Sequence, residues 1–261
     1  MDQLTVTLIQ CDILWENPTG NLERLKAKLE EFRGKTDIVV LPEMFTTGFS
    51  MHSSQLAETV DGPTVGTLKK WAEESGLAFA GSFIASEDDR FYNRGFFITP
   101  EETRFYDKRH LFRMSAEPEH FAAGTAPLIV NYKGWNISLQ ICYDLRFPVW
   151  LRNVDNAYDL LLFVASWPKV RQNAWNTLLM ARAIENCAWV AGVNRVGTDP
   201  NGLVYEGGSV MIDMKGQVIA EATPGKEESV SVTISKSALE KFRERFPTWK
   251  DADRFILEDP E

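Results

Sequence analysis

Three side chains with the chemistry of acyl transfer stand at comparable places in this 261-residue chain. Glu43 follows the apolar run IVVLP, Lys108 follows FYD, and Cys142 closes the run NISLQI. A free thiol is only a few per cent ionised at neutral pH, so a nucleophilic cysteine needs a base or a cation beside it. A partly buried carboxylate at Glu43 can take the thiol proton and return it to a leaving group. A lysine at Lys108 can stabilise both a thiolate and the oxyanion of a tetrahedral intermediate. The backbone N–H of Tyr143 is a natural second donor, and losing one such donor typically costs about a hundredfold to a thousandfold in rate. The set suits attack on an amide or nitrile carbon, formation of an acyl-thioester, and then hydrolysis.

Taken singly, each residue has a plainer explanation. A cysteine that ends an apolar run is commonly a core residue, which is the reading given to Cys11 and Cys187. Glu43 suits a loop or a cap, and the cluster DKRHLFR around Lys108 suits a solvated face. His110 and His120 offer a Cys–His pair instead, but no papain-like or caspase-like signature surrounds any cysteine. G-x-S-x-G, a P-loop and G-x-G-x-x-G are all missing. Three scattered cysteines make neither a disulfide framework nor a zinc motif. His52, His110 and His120 lack metal-site spacing, so neither a metal nor another cofactor is expected.

The bulk composition narrows the partners. With 28 basic and 37 acidic residues the formal charge is −9, which disfavours nucleic acid and anionic membrane. The N-terminus MDQLTVTLIQ has no basic stretch followed by an apolar one, and no run approaches eighteen apolar residues. A cytoplasmic protein is the expectation. At 44% hydrophobic residues the chain can bury a sizeable core.

For the three residues to meet, strands must carry them to a common edge, because ligands in open α/β architectures sit outside the carboxyl ends of strands. Leu4–Gln10, Asp37–Leu41, Leu77–Ile84, Leu160–Ala165 and Ala188–Asn194 read as strands. Leu22, Leu25, Leu29 and Phe32 recur at helical spacing, with Gly34 as a stop. Thr64–Ser75, ended by Gly76, and Arg171–Asn186 read as further helices. Phe96–Thr99 with Thr103–Tyr106, and Leu128–Tyr132 with Trp135–Ile141 across Lys133-Gly134, read as hairpins. Val210–Ile212 and Val218–Ala220 flank a Lys215-Gly216 turn, Val230–Ile234 follows, and Ser235–Phe246 is a capped helix. The expectation is an α/β fold, mixed sheets layered with helices, in a single domain over 1–261: a core of about 4–234, then a C-terminal helix and tail over 235–261.

At these same residues the chain resembles a known family. IVVLPEMFTTGF, FYDKRHLF and LQICYDLRFP resemble, in order, the three motif regions of the nitrilase superfamily, the carbon–nitrogen hydrolases. The likeness runs from Leu4 to the helix near Phe246. It implies Glu43 as general base, Lys108 as stabiliser of the intermediate and Cys142 as nucleophile. It also implies a second glutamate that orients the lysine, and EPEHFAAG offers both Glu117 and Glu119. Glu117, seven residues before Gly124, is the better match, with Glu119 the alternative. The fold implied is a four-layer α-β-β-α sandwich that pairs through its helices into a homodimer, with a higher homo-oligomer the alternative.

Finer stretches point within the superfamily. FVASWP, ARAIENCAWVAGVNRVGTD and FPTWKDADRF are most similar to the bacterial omega-amidases. That branch hydrolyses the terminal amide of short α-keto acid amides, 2-oxoglutaramate and 2-oxosuccinamate, to the dicarboxylate and ammonia. The alternatives are an N-carbamoyl amidohydrolase, a nitrilase or another linear amidase of the superfamily, and, from a different class, a catalytically silent binding protein. A keto-acid amide carries a carboxylate, so its pocket should hold an arginine or several N–H donors. Arg146 is the first candidate, with Arg113, Arg171 and Arg195 behind it. Tyr143 and Trp167 are candidate substrate contacts, and Trp167 and Phe45 candidate walls.

Overall fold

The computed structural model describes residues Met1–Glu258, and the last three positions of the expected C-terminal tail lie outside the described residues. Five strands of the first half, β1 (Gln3–Gln10), β2 (Ile38–Val40), β3 (Ala78–Glu87), β4 (Arg90–Ile98) and β5 (Thr103–Asp107), lie side by side in that order. A second sheet begins with β6 (Ile129–Tyr132), β7 (Trp135–Ile141), β8 (Leu160–Ala165) and β9 (Trp189–Asn194). After a ribbon of β10 (Val196–Thr198) and β11 (Val204–Glu206), β12 (Val210–Ile212) and β13 (Val218–Glu221) extend that sheet beyond β9. β14 (Glu228–Ser235) then returns to the first sheet, antiparallel to β1. The centre of each sheet is parallel, β1–β2–β3 in one and β7–β8–β9 in the other, and the flanking pairings are antiparallel.

The alternation of side chains along these strands builds the layers, because successive residues point to opposite faces. Leu160, Leu162 and Val164 meet Leu8, Ile38 and Val40 in a core between the two sheets. Leu161, Phe163 and Ala165 face the other way, onto Trp175, Leu179 and Ala183 of α5 (Gln172–Asn186). On the first sheet Val39 and Phe79 face outward onto Leu25, Leu29, Leu68 and Trp71. The helices are α1 (Pro18–Phe32), α2 (Ser53–Leu56), α3 (Pro63–Ser75), α4 (Glu117–His120), α5 (Gln172–Asn186) and α6 (Lys236–Arg245). Strands covered on both faces read as unbroken apolar runs, as IVVL and LLLFVA do. The expected four-layer α-β-β-α sandwich is the observed one.

Local signals end these elements where the sequence places them. Asn17 caps α1 by accepting from the Gly20 amide at 3.0 Å, with Pro18 at its first position. Gly76 closes α3 in the left-handed region at φ 72°. Lys133 and Gly134 both take positive φ, the geometry a two-residue hairpin needs between β6 and β7. The strand β4 begins at Arg90, six residues before the expected Phe96. Its early part carries Asn93 and Arg94, buried polar side chains that hide a central strand from a reading based on alternation. No helix among the described residues is long and apolar enough to cross a membrane.

Candidate active site

β2, β5, β7 and β8 release their chains toward one point. Glu43 lies three residues past β2, and Lys108 directly follows β5. Cys142 directly follows β7, and Ser166 directly follows β8. The carboxyl ends of strands in both sheets therefore contribute to a single site.

Glu43, Lys108 and Glu117 are wholly buried and bonded to one another. The Lys108 ammonium donates to Glu43 Oε1 at 2.8 Å and to both oxygens of Glu117, at 2.9 and 3.0 Å. Glu43 Oε2 accepts the backbone N–H of Ser166 at 2.8 Å. Glu117 also accepts the Phe112 amide at 2.5 Å, which fixes the loop between Lys108 and α4. A buried charge persists only when paired and hydrogen-bonded, and here every oxygen of both carboxylates has a donor. Burial by itself would lower the ammonium's pKa, but Glu117 and Glu43 more than offset it and hold Lys108 firmly charged. Burial pushes the Glu117 carboxyl above the usual range, against the pull of Lys108 and with the push of Glu43.

Cys142 starts a short 3₁₀ turn (Cys142–Arg146) and sits in the left-handed region at φ 45°. A non-glycine residue holds that conformation only where its surroundings over-determine it. Asp144, wholly buried, supplies the constraint. Its carboxylate accepts from the Ile141 amide (3.1 Å), the Tyr106 hydroxyl (2.8 Å) and the His110 amide (2.9 Å). Trp150 Nε1 in turn donates to the Tyr106 oxygen at 3.2 Å and to Gln140 at 3.0 Å. Asp144→Asn keeps the shape but turns an amide NH2 toward these donors. The variant should lose about 2 kcal/mol or more of stability, the cost of leaving buried donors unpaired, visible as a lower urea midpoint; an unchanged midpoint would reject the anchor.

Burial raises the Cys142 thiol well above its ordinary range, and the Glu43 carboxylate raises it further, opposed by Lys108 and the Ser166 amide. The sulfur at rest is therefore a thiol facing a carboxylate, a pair in which a proton can move over a short distance as the sulfur attacks. The Lys108 cation and the Tyr143 amide remain available for negative charge developing on a carbonyl oxygen.

The sulfur opens onto a cavity of about 480 Å³. Of the residues singled out from sequence, Lys108, Cys142, Tyr143, Arg146, Trp167 and Arg171 line it. The Arg146 guanidinium lies 5.0 Å from the Trp167 ring centre and that of Arg171 lies 5.1 Å from Phe112, and neither forms an ion pair among the described residues. Three expectations are corrected. Phe45 is no wall but a core residue, edge-on to Phe96 at 5.8 Å, because its strand-end position faces the helical layer. Arg195 is buried behind the cavity, bonded to Asp12 at 2.7 Å and stacked on Tyr205. Arg113 is exposed and lies off the cavity. Between the two glutamates the geometry is unambiguous: Glu117 bonds Lys108, whereas Glu119 is exposed.

Sequence reasoning missed Asn93, Ser166 and the ribbon loop residues Asp199, Asn201 and Leu203 that close one side. Ser166 acts through a backbone N–H, which has no residue-type signature. Asn93 sits amid a strand whose polar residues gave no period to read.

Comparison with known proteins shows the family to which the chain belongs. The family model of the carbon–nitrogen hydrolases matches residues 5–244. The chain is 44% identical over 260 residues to the omega-amidase YafV of Yersinia enterocolitica, covering 98% of this chain and all of that one. It is 33% identical over 255 residues to a 2-oxoglutaramate amidase of Bacillus subtilis, covering 95% and 96% of the two chains. A crystal structure of a CN-hydrolase superfamily protein from Xanthomonas campestris, with an arsenic adduct in its active site, matches with a TM-score of 0.96 at 45% identity, covering 99% of this chain and 100% of that one. Given a family match over nearly the whole length and relatives this similar end to end, the chain belongs to the carbon–nitrogen hydrolases of the nitrilase superfamily.

Proposed function

We propose that this chain is an omega-amidase, hydrolysing the terminal amide of 2-oxoglutaramate and 2-oxosuccinamate to the dicarboxylate and ammonia. The observation that supports it most is the buried Glu43–Lys108–Glu117 cluster beneath a cavity that holds Cys142 and two arginines without acidic partners. Glu43 takes the Cys142 proton as the sulfur bonds to the amide carbon, and Lys108 and the Tyr143 N–H receive the oxyanion. Collapse breaks the C–N bond, the proton on Glu43 passes to nitrogen, and ammonia leaves an acyl-thioester. Water then adds to the thioester carbon while losing a proton to Glu43. The second intermediate expels the thiolate, which recovers its proton from Glu43. Glu117 holds Lys108 in place throughout.

Arg146 takes the substrate carboxylate in a bidentate pair, with Tyr143 and Trp167 flanking the short chain between carboxylate and amide. One domain over residues 1–261, working in the cytoplasm as a homodimer, completes the reading. Ammonia release separates the substrates: 2-oxoglutaramate should turn over with kcat/KM on the order of 10⁴ M⁻¹s⁻¹ or above. An N-carbamoyl amino acid turned over faster than 2-oxoglutaramate would overturn the assignment. Arg146→Gln should raise KM for 2-oxoglutaramate about tenfold to a hundredfold with kcat little changed, the pattern of lost binding that does not reach the reacting carbon. An unchanged KM would move the carboxylate to Arg171.

A further inference from the structure

Asn93 occupies the centre of the catalytic cluster without a role in the steps above. It lies on β4 opposite Ile84 of β3, and its side chain is wholly buried. Its backbone oxygen accepts the Lys108 amide at 3.0 Å, so it is tied to the lysine through the main chain as well. The amide nitrogen Nδ2 donates to Glu43 Oε1 at 2.8 Å and to Glu117 Oε1 at 3.2 Å. Both neighbours are carboxylate oxygens, which only accept, so the nitrogen must be the atom that faces them. The other end of the amide, Oδ1, is buried and has no hydrogen-bond partner.

When the thiol S–H bond breaks and an O–H bond forms on Glu43, a carboxylic acid replaces the carboxylate. Oε1 already takes two donors, from Lys108 and Asn93, whereas Oε2 takes the Ser166 amide alone, so Oε2 has the lone pair free for the proton. Asn93 therefore keeps its contact to Oε1 throughout, since turning the amide would set Oδ1 against the Glu117 carboxylate, acceptor against acceptor. The titratable groups that face Glu43 are Lys108 at the end of β5, Glu117 on α4, Cys142 at the end of β7 and the Tyr205 phenol on β11. Beside the charged Lys108, Asn93 is the uncharged donor that bridges the two carboxylates.

We propose that Asn93 is a positioning residue for the proton transfer, its Nδ2 bridging Glu43 and Glu117 so that the Glu43 carboxylate is stabilised and held with Oε2 free to take the thiol proton. The proposal rests on Glu43 being the general base, and its test is separable from that one: if Glu43→Gln kept full turnover, the base assignment itself would fall. The experiment compares the pH dependence of kcat/KM in wild type, Asn93→Leu and Asn93→Asp. Leucine removes the donor to the ionised form, so the acid limb should move up by about one pH unit, with kcat lower on the order of tenfold or more. Aspartate adds a like charge and should move that limb further up. A loss of activity with the acid limb unmoved in both variants would reduce Asn93 to a packing role and overturn the proposal. Thermal melting of each variant shows that the comparison is between folded proteins.

Discussion

Cys142→Ala is expected to reduce ammonia release from 2-oxoglutaramate on the order of 10⁴-fold or more, with little change in substrate affinity. Removing a covalent nucleophile eliminates the thioester route, and what remains is catalysis by the surrounding donors alone. Affinity should survive because the thiol is neutral at rest, pushed up by burial and by Glu43, and contributes no charge to binding. Cys142 is half-buried at the cavity floor and touches only the edges of two core clusters, so truncation to alanine removes one sulfur atom and leaves the turn that Asp144 holds in place. The matching controls are Cys11→Ala and Cys187→Ala. Cys11 packs beside the first helical layer, and Cys187 ends α5 near Thr248, both away from the cavity. Turnover in Cys142→Ala within tenfold of wild type, or a comparable loss in either control, would reject Cys142 as the nucleophile.

Glu43→Gln should separate two effects that usually travel together. Turnover should fall by about 10²- to 10⁴-fold, the usual contribution of a general base. The thiol should nevertheless become easier to ionise. In the native protein burial is the first cause that lifts it well above 9.0, and the Glu43 charge adds to that, while Lys108 and the Ser166 amide oppose. Glutamine removes the added negative charge and leaves Lys108 in place, so the thiol's titration moves down. Alkylation of Cys142 by iodoacetamide, followed against pH, should therefore have its midpoint at lower pH in the variant than in wild type. A slower enzyme with a more reactive sulfur at neutral pH is the expected signature. If the midpoint moved up or stayed in place, the electrostatic account of this pair would be wrong, whatever the loss of activity.

These outcomes depend on a cluster whose members were legible one at a time but whose closeness was not. The position of each just past an apolar run was visible, and the reason it mattered is general: strand ends in parallel sheets are where distant side chains converge. The layers were legible for a similar reason. IVVL and LLLFVA carry no polar face, so they had to be covered on both sides, and the spacing of Leu25, Leu29 and Phe32 supplied a helix to cover the first of them. Polar strand residues were the weak point. Asn93 and Arg94 are buried in β4, and only their partners make that tolerable: the carboxylates for one, Asp107 and Glu87 for the other.

The chain by itself determined the residue types for acyl transfer, their placement at strand ends, the layered α/β architecture and the resemblance to the carbon–nitrogen hydrolases. These rest on local periodicity, caps and motif order, all of which are properties of short segments. Only the tertiary structure decided that Glu117 rather than Glu119 bonds Lys108, that Arg146 and Arg171 face the cavity while Arg195 is paired with Asp12, and that Phe45 belongs to the core. Each of those outcomes depends on which way one side chain points and what lies several strands away. A turn of a residue or two reverses direction without altering composition, so no pattern within a segment can carry that information.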